Sequence, residues 1–399
     1  MKPPNKPLFH LDRNVWVAGL VSFFMDFSSE MVYPLLPLFL TSVLGVNKAI
    51  IGSIEGIAES TASFLKLYSG WLSDRIGKRK FFMGWGYGLA TLSRPLLALA
   101  PNWNWVLASR FIDRFGKGVR TAPRDAIIAE STLPENLGRA FGLHRSLDTL
   151  GAIAGPGVAF LLLAMGANSY RLVFWVSIVP GLIAVLLIIL FIREKRATTG
   201  TTTELPRLSW GMFDLRFKFF MAIIVIFTLG NSSDAFLILR AQQVGIAPLV
   251  IPLVYIIFNL VYAVSATPAG VLADRLGRHR MILLGFGLFS LIYSGLAGAQ
   301  HPWQIWLLFG LYGLFMGLTE GVQKAYLATI IPESYKATAF GLYQASVGLA
   351  LLPASIIAGL LWDHIGPAAP FIFGAATGLT AALLFIVMLY QRQEDRQDY

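Results

Sequence analysis

GWLSDRIGKRK at residues 70–80 is the most informative segment of the sequence, because a similar segment, GVLADRLGRHR, follows at residues 270–280. Three further pairs of similar segments recur in the same order: FSSE at 27–30 and NSSD at 231–234, GVRTA at 118–122 and GVQKA at 321–325, and AFGL at 140–143 and 339–342. All four pairs are separated by 199 to 204 residues. The sequence therefore predicts two halves that repeat one design.

The chain is strongly apolar, since 56% of its 399 residues are hydrophobic and only 14% are charged. Soluble domains carry about 25% charged residues. Apolar segments of about twenty residues, each long enough to cross a hydrocarbon core of about 30 Å, recur along the chain. Twelve are predicted, near 14–43, 49–72, 81–100, 103–128, 140–165, 170–192, 217–240, 248–272, 281–299, 302–330, 337–361 and 368–390. We predict an all-α membrane protein with twelve transmembrane helices in two pseudo-symmetric six-helix bundles.

The polar stretch REKRATTGTTTELPRLSW at 193–210 is the longest connection between apolar segments, and its composition is typical of a solvated linker. We predict an N-terminal six-helix bundle at 1–192, a cytoplasmic linker at 193–216 and a C-terminal six-helix bundle at 217–399. Six spans per half give both halves the same orientation, so we expect a symmetry axis along the membrane normal and a substrate site between the halves.

The net charge of +10 is distributed as in a membrane protein. The termini and one set of loops carry twenty Lys and Arg residues, whereas the opposite loops carry only Lys48, Arg171 and Arg240. The positive-inside rule places both termini in the cytoplasm, and we expect the plasma (inner) membrane. This pattern argues against nucleic-acid binding. The chain has no cysteine, and its five histidines show no metal-ligand spacing, so we expect no metal and no cofactor.

The repeated segment GxxxDRxGKRK, between the second and third predicted spans and again between the eighth and ninth, resembles the signature loop of the major facilitator superfamily. The resemblance covers the whole chain through its span number, its repeat and its central linker. It implies that the loop's glycines permit tight turns while its charges lock the cytoplasmic face. The implied gate contains Gly70, Asp74, Arg75, Gly77, Lys78 and Arg79, their counterparts Gly270, Asp274, Arg275 and Gly277, and Arg124, which we expect to brace the loop.

Two further segments resemble the twelve-span drug–proton antiporters of that superfamily. YPLLP at 33–37 is similar to a first-span motif, and GAIAGPG at 151–157 resembles the fifth-span motif GxxxGP through Gly151, Gly155 and Pro156. The motif usually ends in a glycine pair, where this chain has Val158 and Ala159. The alternative interpretation is that these small residues only allow close helix packing.

The fourth predicted span carries an unusual density of charge. Positions 110, 113, 114, 117, 120 and 124 fall on one side of a helix. Each unpaired Arg or Lys at mid-membrane costs about 3 kcal/mol, so these side chains must face partners or water. Arg110 resembles the superfamily's fourth-span arginine, which is linked there to proton coupling, and Arg114 is the alternative for that role.

Acids in neighbouring spans supply the partners. Within the predicted spans we count nine bases and nine acids, a balance that favours an ion-pair network over an anionic substrate. The predicted proton-coupling group contains Asp26, Glu30, Glu59, Arg110, Asp113, Arg114, His144, Arg145 and Asp148. In the second half, Asp234, Glu320 and Lys324 are predicted to line a substrate cavity, with Glu320 and Lys324 forming an i,i+4 pair.

The sequence thus predicts a secondary active transporter and not an enzyme. Its expected partners are a small-molecule substrate, a coupling ion and the lipid bilayer, and we expect a monomer. We favour protons as the coupling ion and export as the direction. The alternatives are a proton- or sodium-coupled importer of a small organic solute or metal chelate, and a transporter-like receptor that does not transport.

Overall fold

The computed structural model describes residues 11–133, 136–165, 169–194, 213–327, 329–331 and 336–397. All long regular elements in these ranges are α-helices. They are α1 (Arg13–Val32), α2 (Leu36–Ser42), α3 (Lys48–Ile76), α4 (Arg79–Ala98), α5 (Trp103–Glu130), α6 (Leu137–Ala164), α7 (Tyr170–Val176), α8 (Ile178–Phe191), α9 (Leu215–Gly230), α10 (Ala235–Gln243), α11 (Ile251–Leu276), α12 (Arg278–Gly298), α13 (Pro302–Leu327), α14 (Lys336–His364) and α15 (Ala369–Gln397). The predicted all-α class is confirmed.

Nine helical segments of the described chain are long and apolar enough to cross a membrane. They include α1 continued into α2 through a 3-10 turn at Tyr33–Leu35, α7 joined to α8, and α9 joined to α10. The three remaining long helices, α3, α4 and α5, fall in the charged part of the first half. Twelve spans therefore remain a prediction.

Local sequence explains where several helices begin. The side chains of Asp12, Asn102 and Asp214 accept hydrogen bonds from backbone N–H groups in the first turns of α1, α5 and α9, which is the usual role of an N-cap. Gly77 and Gly277 have φ values of +70° and +93°. Both lie in the tight turns that end α3 and α11, where a residue with a Cβ would be strained.

The chain divides into two compact units. The first contains the described residues of 1–33 and 65–203, in which α1 packs against α6 and α8, and α4 packs against α5. Its core is largely aliphatic around Val21, Met25, Met83 and Ile188, with Tyr87 among them.

The second unit contains 34–64 and the described residues of 204–399. In it α11 packs against α13, and α12 packs against α13 and α15. Its core is rich in aromatic rings, including Phe227, Phe286, Phe289 and Phe315. Residues 34–64 thus associate with the C-terminal half of the chain, and the predicted division at 1–192, 193–216 and 217–399 remains a prediction.

Candidate functional site

A buried charge cluster joins α4 to α5 in the first unit. Asp113 accepts a hydrogen bond from Arg94 at 3.1 Å. The guanidinium groups of Arg110 and Arg114 lie 3.6 and 3.9 Å from its second carboxylate oxygen. Arg94 also donates to the Ser29 hydroxyl on α1 at 2.9 Å. All four charged side chains are at most 10% exposed, so Asp113 is the shared partner that makes three buried cations tolerable.

A second group lies between α1 and α6. The carboxyl groups of Asp26 and Asp148 lie close enough to interact, and Lys117 and Glu30 are further charges near Asp26. Arg145 lies 3.2 Å from Asp148. An ionised carboxylate can only accept hydrogen bonds, so a hydrogen bond between two carboxyl groups requires a proton on one of them. This pair has the chemistry to hold a single proton.

The predicted residues His144 and Arg124 meet at Ser22 on α1. The Nε2 atom of His144 lies 2.7 Å from the Ser22 hydroxyl, which is also 3.4 Å from the Tyr87 hydroxyl. Arg124 donates to Ser22 at 3.3 Å and makes two hydrogen bonds to Asp125, at 2.8 and 2.9 Å. His144 is buried. The structure therefore places Arg124 with His144 and Ser22.

In the second unit Asp234, immediately before α10, meets a hydroxyl group. Its carboxylate accepts a hydrogen bond from Tyr312 at 2.8 Å, and the same hydroxyl lies 3.4 Å from the side-chain oxygen of Asn231. The charged groups that act on Asp234 are the carboxylates of Glu59 and Glu55 on α3. Glu59 thus lies within electrostatic range of Asp234 and in a different unit from Asp26 and Asp148.

The other predicted residues of the second half lie on α13. Lys324 donates to Glu320 at 3.1 Å, as its spacing on the helix predicts. Glu320 also accepts a hydrogen bond from Tyr262 on α11. One turn away, Tyr343 on α14 donates to Gln323 at 2.9 Å. Tyrosine hydroxyls therefore tie α13 to both neighbouring helices.

The first copy of the repeated loop is anchored to the end of α5. After the turn at Gly77, Arg79 forms an ion pair with Glu130, the last residue of α5. Arg75 and Lys78 are exposed. Gly70 and Asp74 belong to α3 by their backbone, and their surroundings lie outside the part of the chain that the structure describes.

The second copy is anchored in a related way. Arg278, which follows Gly277, donates to the carbonyl of Ala325 near the end of α13 at 3.2 Å and to Asp274 at 3.4 Å. Asp274 and Arg275 are exposed, and a Cβ at Gly270 would meet nothing within 4 Å. In each copy an arginine shortly after the glycine turn contacts the end of another helix, α5 for Arg79 and α13 for Arg278.

The glycines of the fifth-span motif lie where α6 crosses α1. A Cβ at Gly151 would clash with the backbone of Phe23, and a Cβ at Gly155 would lie 2.6 Å from the carbonyl oxygen of Phe27. Pro156 is inside α6. These residues permit the close backbone approach that brings Asp26 and Asp148 together.

Several partners were not predicted from the sequence. Ser22, Ser29, Tyr87 and Tyr312 are uncharged side chains within apolar helices, where nothing in the pattern separates them from ordinary packing residues. Within the described residues, no group of three or more His, Asp or Glu side chains is arranged to hold a metal ion.

Comparison with known proteins identifies the family to which this architecture corresponds. The model of the Major Facilitator Superfamily matches residues 18–239 and again 219–398. The chain is 36% identical over 382 residues to an uncharacterised MFS-type transporter of Methanocaldococcus jannaschii, and the match covers 94% of this chain and 95% of that one. It is 25% identical over 369 residues to a multi-drug resistance efflux pump PmrA homolog of Lactococcus lactis subsp. lactis, covering 88% and 89% of the two chains.

Solved structures show the same architecture at much lower sequence identity. A mutant of the nucleoside transporter NupG superposes with a TM-score of 0.81 at 14% identity, over 94% of this chain and 99% of that chain. At this identity the likeness shows the fold alone.

Proposed function

Because the chain belongs to the Major Facilitator Superfamily, a family of membrane transporters, we propose that it is a proton-coupled antiporter that exports a small organic solute. It is an integral membrane protein, and its sequence contains no GxxxxGK[ST] nucleotide-binding signature. An ion gradient therefore supplies the energy, and the solute site opens alternately to the two sides of the membrane.

The proximity of the carboxyl groups of Asp26 and Asp148 is the observation that carries the proton assignment. Two neighbouring carboxyl groups can share one proton, and the proton leaves when they separate. Arg145, 3.2 Å from Asp148, then stabilises the carboxylate that remains. A small displacement of α1 against α6 is therefore enough to bind or release a proton.

The Asp113 cluster has a different part in this proposal. Arg94, Arg110 and Arg114 surround one carboxylate, and three cations strongly favour its ionised form. Asp113 therefore remains charged throughout the cycle and holds α4 against α5, while Asp26 and Asp148 exchange the proton.

The second unit supplies the chemistry for the solute. Asp234 lies near the carboxylates of Glu55 and Glu59, and its partner Tyr312 stacks on Phe258 with a centroid separation of 5.4 Å. Carboxylates combined with aromatic faces favour an organic cation, since such rings attract positive charge. Export is supported by the fifth-span glycines and by the similarity to an efflux pump of Lactococcus lactis.

The test uses purified protein in liposomes that contain a pH-sensitive dye and an acidic lumen. Tetraphenylphosphonium, ethidium, a neutral sugar and an organic anion are added in turn. Antiport predicts that the organic cations enter as protons leave, and that Asp26→Asn abolishes the proton signal. Asp214→Asn is the matched control, because Asp214 caps α9 in the second unit and asparagine can cap a helix as well, and it should retain the signal.

The other outcomes identify the alternatives. Protons and solute moving in the same direction would indicate uptake. Solute movement that follows sodium and leaves the dye unchanged would assign coupling to sodium. Solute binding to the purified protein with no movement in any gradient would support a receptor.

A further inference from the structure

An apolar groove of about 400 Å3 lies on the surface of the first unit, between α4 and α8. Gly84 and Gly88 form its floor, Trp85 and Ile189 are among its walls, and Lys80 is its charged lining residue. Trp85 is 56% exposed. The groove is separate from the Asp26–Asp148 pair and from the Asp113 cluster, and neither uses its residues.

The glycines of this groove are not explained by contacts within the protein. A Cβ at Gly88 would meet no atom within 4 Å, and a Cβ at Gly84 would meet only Ile188, at 4.0 Å. Gly86, on the other face of α4, differs because its Cβ would lie 2.6 Å from the carbonyl oxygen of Gly116. Glycine inside a helix costs about 1 kcal/mol relative to alanine, so Gly84 and Gly88 keep open a space for something outside the chain.

Lys80 fixes a positive charge at one end of the groove. Its ammonium group donates to the carbonyl oxygens of Ile189 and Ile192, at 2.9 and 2.8 Å, at the end of α8. An ammonium group has three N–H donors, so these two bonds hold it in place and one donor remains that could reach an anion. The backbone N–H of Lys80 donates to the carboxylate of Glu194 at 3.1 Å. The charge distribution predicts that this end of α4 faces the cytoplasm.

We propose that the groove binds one anionic phospholipid, with an acyl chain over Gly84 and Gly88 and the headgroup phosphate on Lys80. A free phosphate would leave the apolar floor uncovered, and a neutral lipid would gain nothing from the fixed ammonium. Anionic lipids are attracted to basic residues at the cytoplasmic surface of a membrane.

The second unit carries the same combination of features. A groove of about 490 Å3 on α12 is lined by Arg280, Gly287 and four leucines. Arg280 ends the segment GRHR at 277–280, as Lys80 ends GKRK at 77–80. A Cβ at Gly287 would also meet nothing within 4 Å. Each unit therefore has a groove in which a helical glycine with no neighbouring atoms lies near a basic residue at the start of the helix. This recurrence supports a lipid site in the first unit.

The experiment measures quenching of Trp85 by bromine atoms on lipid acyl chains. The full-length protein is placed in vesicles with increasing fractions of brominated phosphatidylglycerol or brominated phosphatidylcholine. The Trp85 contribution is the difference between the wild-type protein and Trp85→Phe. One basic residue near the surface is worth about 1 kcal/mol towards an anionic lipid, so half-quenching should need about fivefold less phosphatidylglycerol than phosphatidylcholine.

Variants separate the two parts of the site. Lys80→Gln should remove the preference for phosphatidylglycerol, Lys80→Arg should retain it, and Gly88→Leu should fill the groove and reduce quenching by both lipids. Arg171→Gln is the matched control, because Arg171 also donates to carbonyl groups at a helix end, those of Ala98 and Ala100.

Equal quenching of Trp85 by the two lipids in the wild-type protein would overturn the proposal, since it would show ordinary bilayer contact. A preference that survives Lys80→Gln, or that disappears equally in Arg171→Gln, would also overturn it. None of these quenching measurements depends on transport. The lipid-site proposal can therefore be wrong while the antiport proposal is correct, and the opposite outcome is equally distinguishable.

Discussion

The two units accommodate an acidic side chain in opposite ways. In the first, Asp113 lies within 4 Å of three guanidinium groups. In the second, Asp234 accepts a hydrogen bond from the hydroxyl of Tyr312, and the charges that act on it are carboxylates. One repeated fold thus holds an acidic side chain with several ion pairs in the first unit, and holds another with a hydroxyl hydrogen bond in the second.

The repeated segments GVRTA at 118–122 and GVQKA at 321–325 show the same difference at matched positions. Arg120 lies 4.3 Å above the ring of Tyr87, whereas Gln323 accepts a hydrogen bond from Tyr343. Each contact joins a tyrosine to a buried polar residue, but only the first contains a charge. At this matched position the first unit thus has a cation and the second a neutral amide, and each contacts a tyrosine from a different helix, α4 for Tyr87 and α14 for Tyr343.

The largest decrease in the free energy of unfolding is expected for Asp113→Asn, because this variant leaves three buried cations without their shared carboxylate. Removing one partner of a buried ion pair costs about 3–5 kcal/mol, and thermal unfolding in detergent should show this loss. The corresponding Asp234→Asn should cost about 1 kcal/mol, because asparagine can still accept the Tyr312 hydrogen bond. Equal losses of stability in the two variants would contradict the difference described between Asp113 and Asp234.

A smaller loss of stability is expected for Gly151→Leu, because the new side chain would be forced against the backbone of Phe23 on α1. Overpacking of this kind costs about 1–3 kcal/mol, measured in the same unfolding assay. The matched variant is Gly88→Leu on α4, which should be no less stable than the wild-type protein, because its Cβ meets open space and leucine favours a helix more than glycine does. If Gly88→Leu lowered the stability more than Gly151→Leu did, α1 and α6 would be packed less closely than described.

The smallest effect is expected for Tyr312→Phe, which removes a single hydrogen bond to Asp234. The loss should be about 1.5 kcal/mol, the lower end of the range for a hydrogen bond to a charged group. Tyr343→Phe serves as the control, because its hydroxyl donates to the neutral Gln323 and hydrogen bonds to neutral groups are weaker. If Tyr343→Phe proves the more costly variant, the role assigned to the Tyr312 hydroxyl is wrong.

The repeat at 70–80 and 270–280 predicted the family and the fold correctly, and both are confirmed by the family match and the NupG superposition. Helical spacing likewise predicted the Glu320–Lys324 pair, because residues four apart on a helix are neighbours in space. The first inference rests on the internal repeat, and the second on the spacing of two nearby residues. Both features can be read directly from a single sequence.

The partners of the charged residues were harder to predict, because they depend on how distant helices rotate against one another. Glu59 seemed to belong with Asp26, since both lie in the first half, but the start of α3 belongs to the second unit. The Ser22 contact with His144 joins residues 122 positions apart, and a serine in an apolar helix carries no signal of its partner. The roles assigned to these site residues remain predictions.

The most direct test of the central claim is the infrared difference spectrum between the wild-type protein and Asp26→Asn at neutral pH. The shared proton predicts a carboxylic-acid C=O band that is present in the wild-type protein, shifts in heavy water and is lost in Asp26→Asn, while the helix-cap variant Asp214→Asn retains it. If no such band is lost with Asp26, the two carboxyl groups do not share a proton, and the proton pathway assigned to α1 and α6 is contradicted.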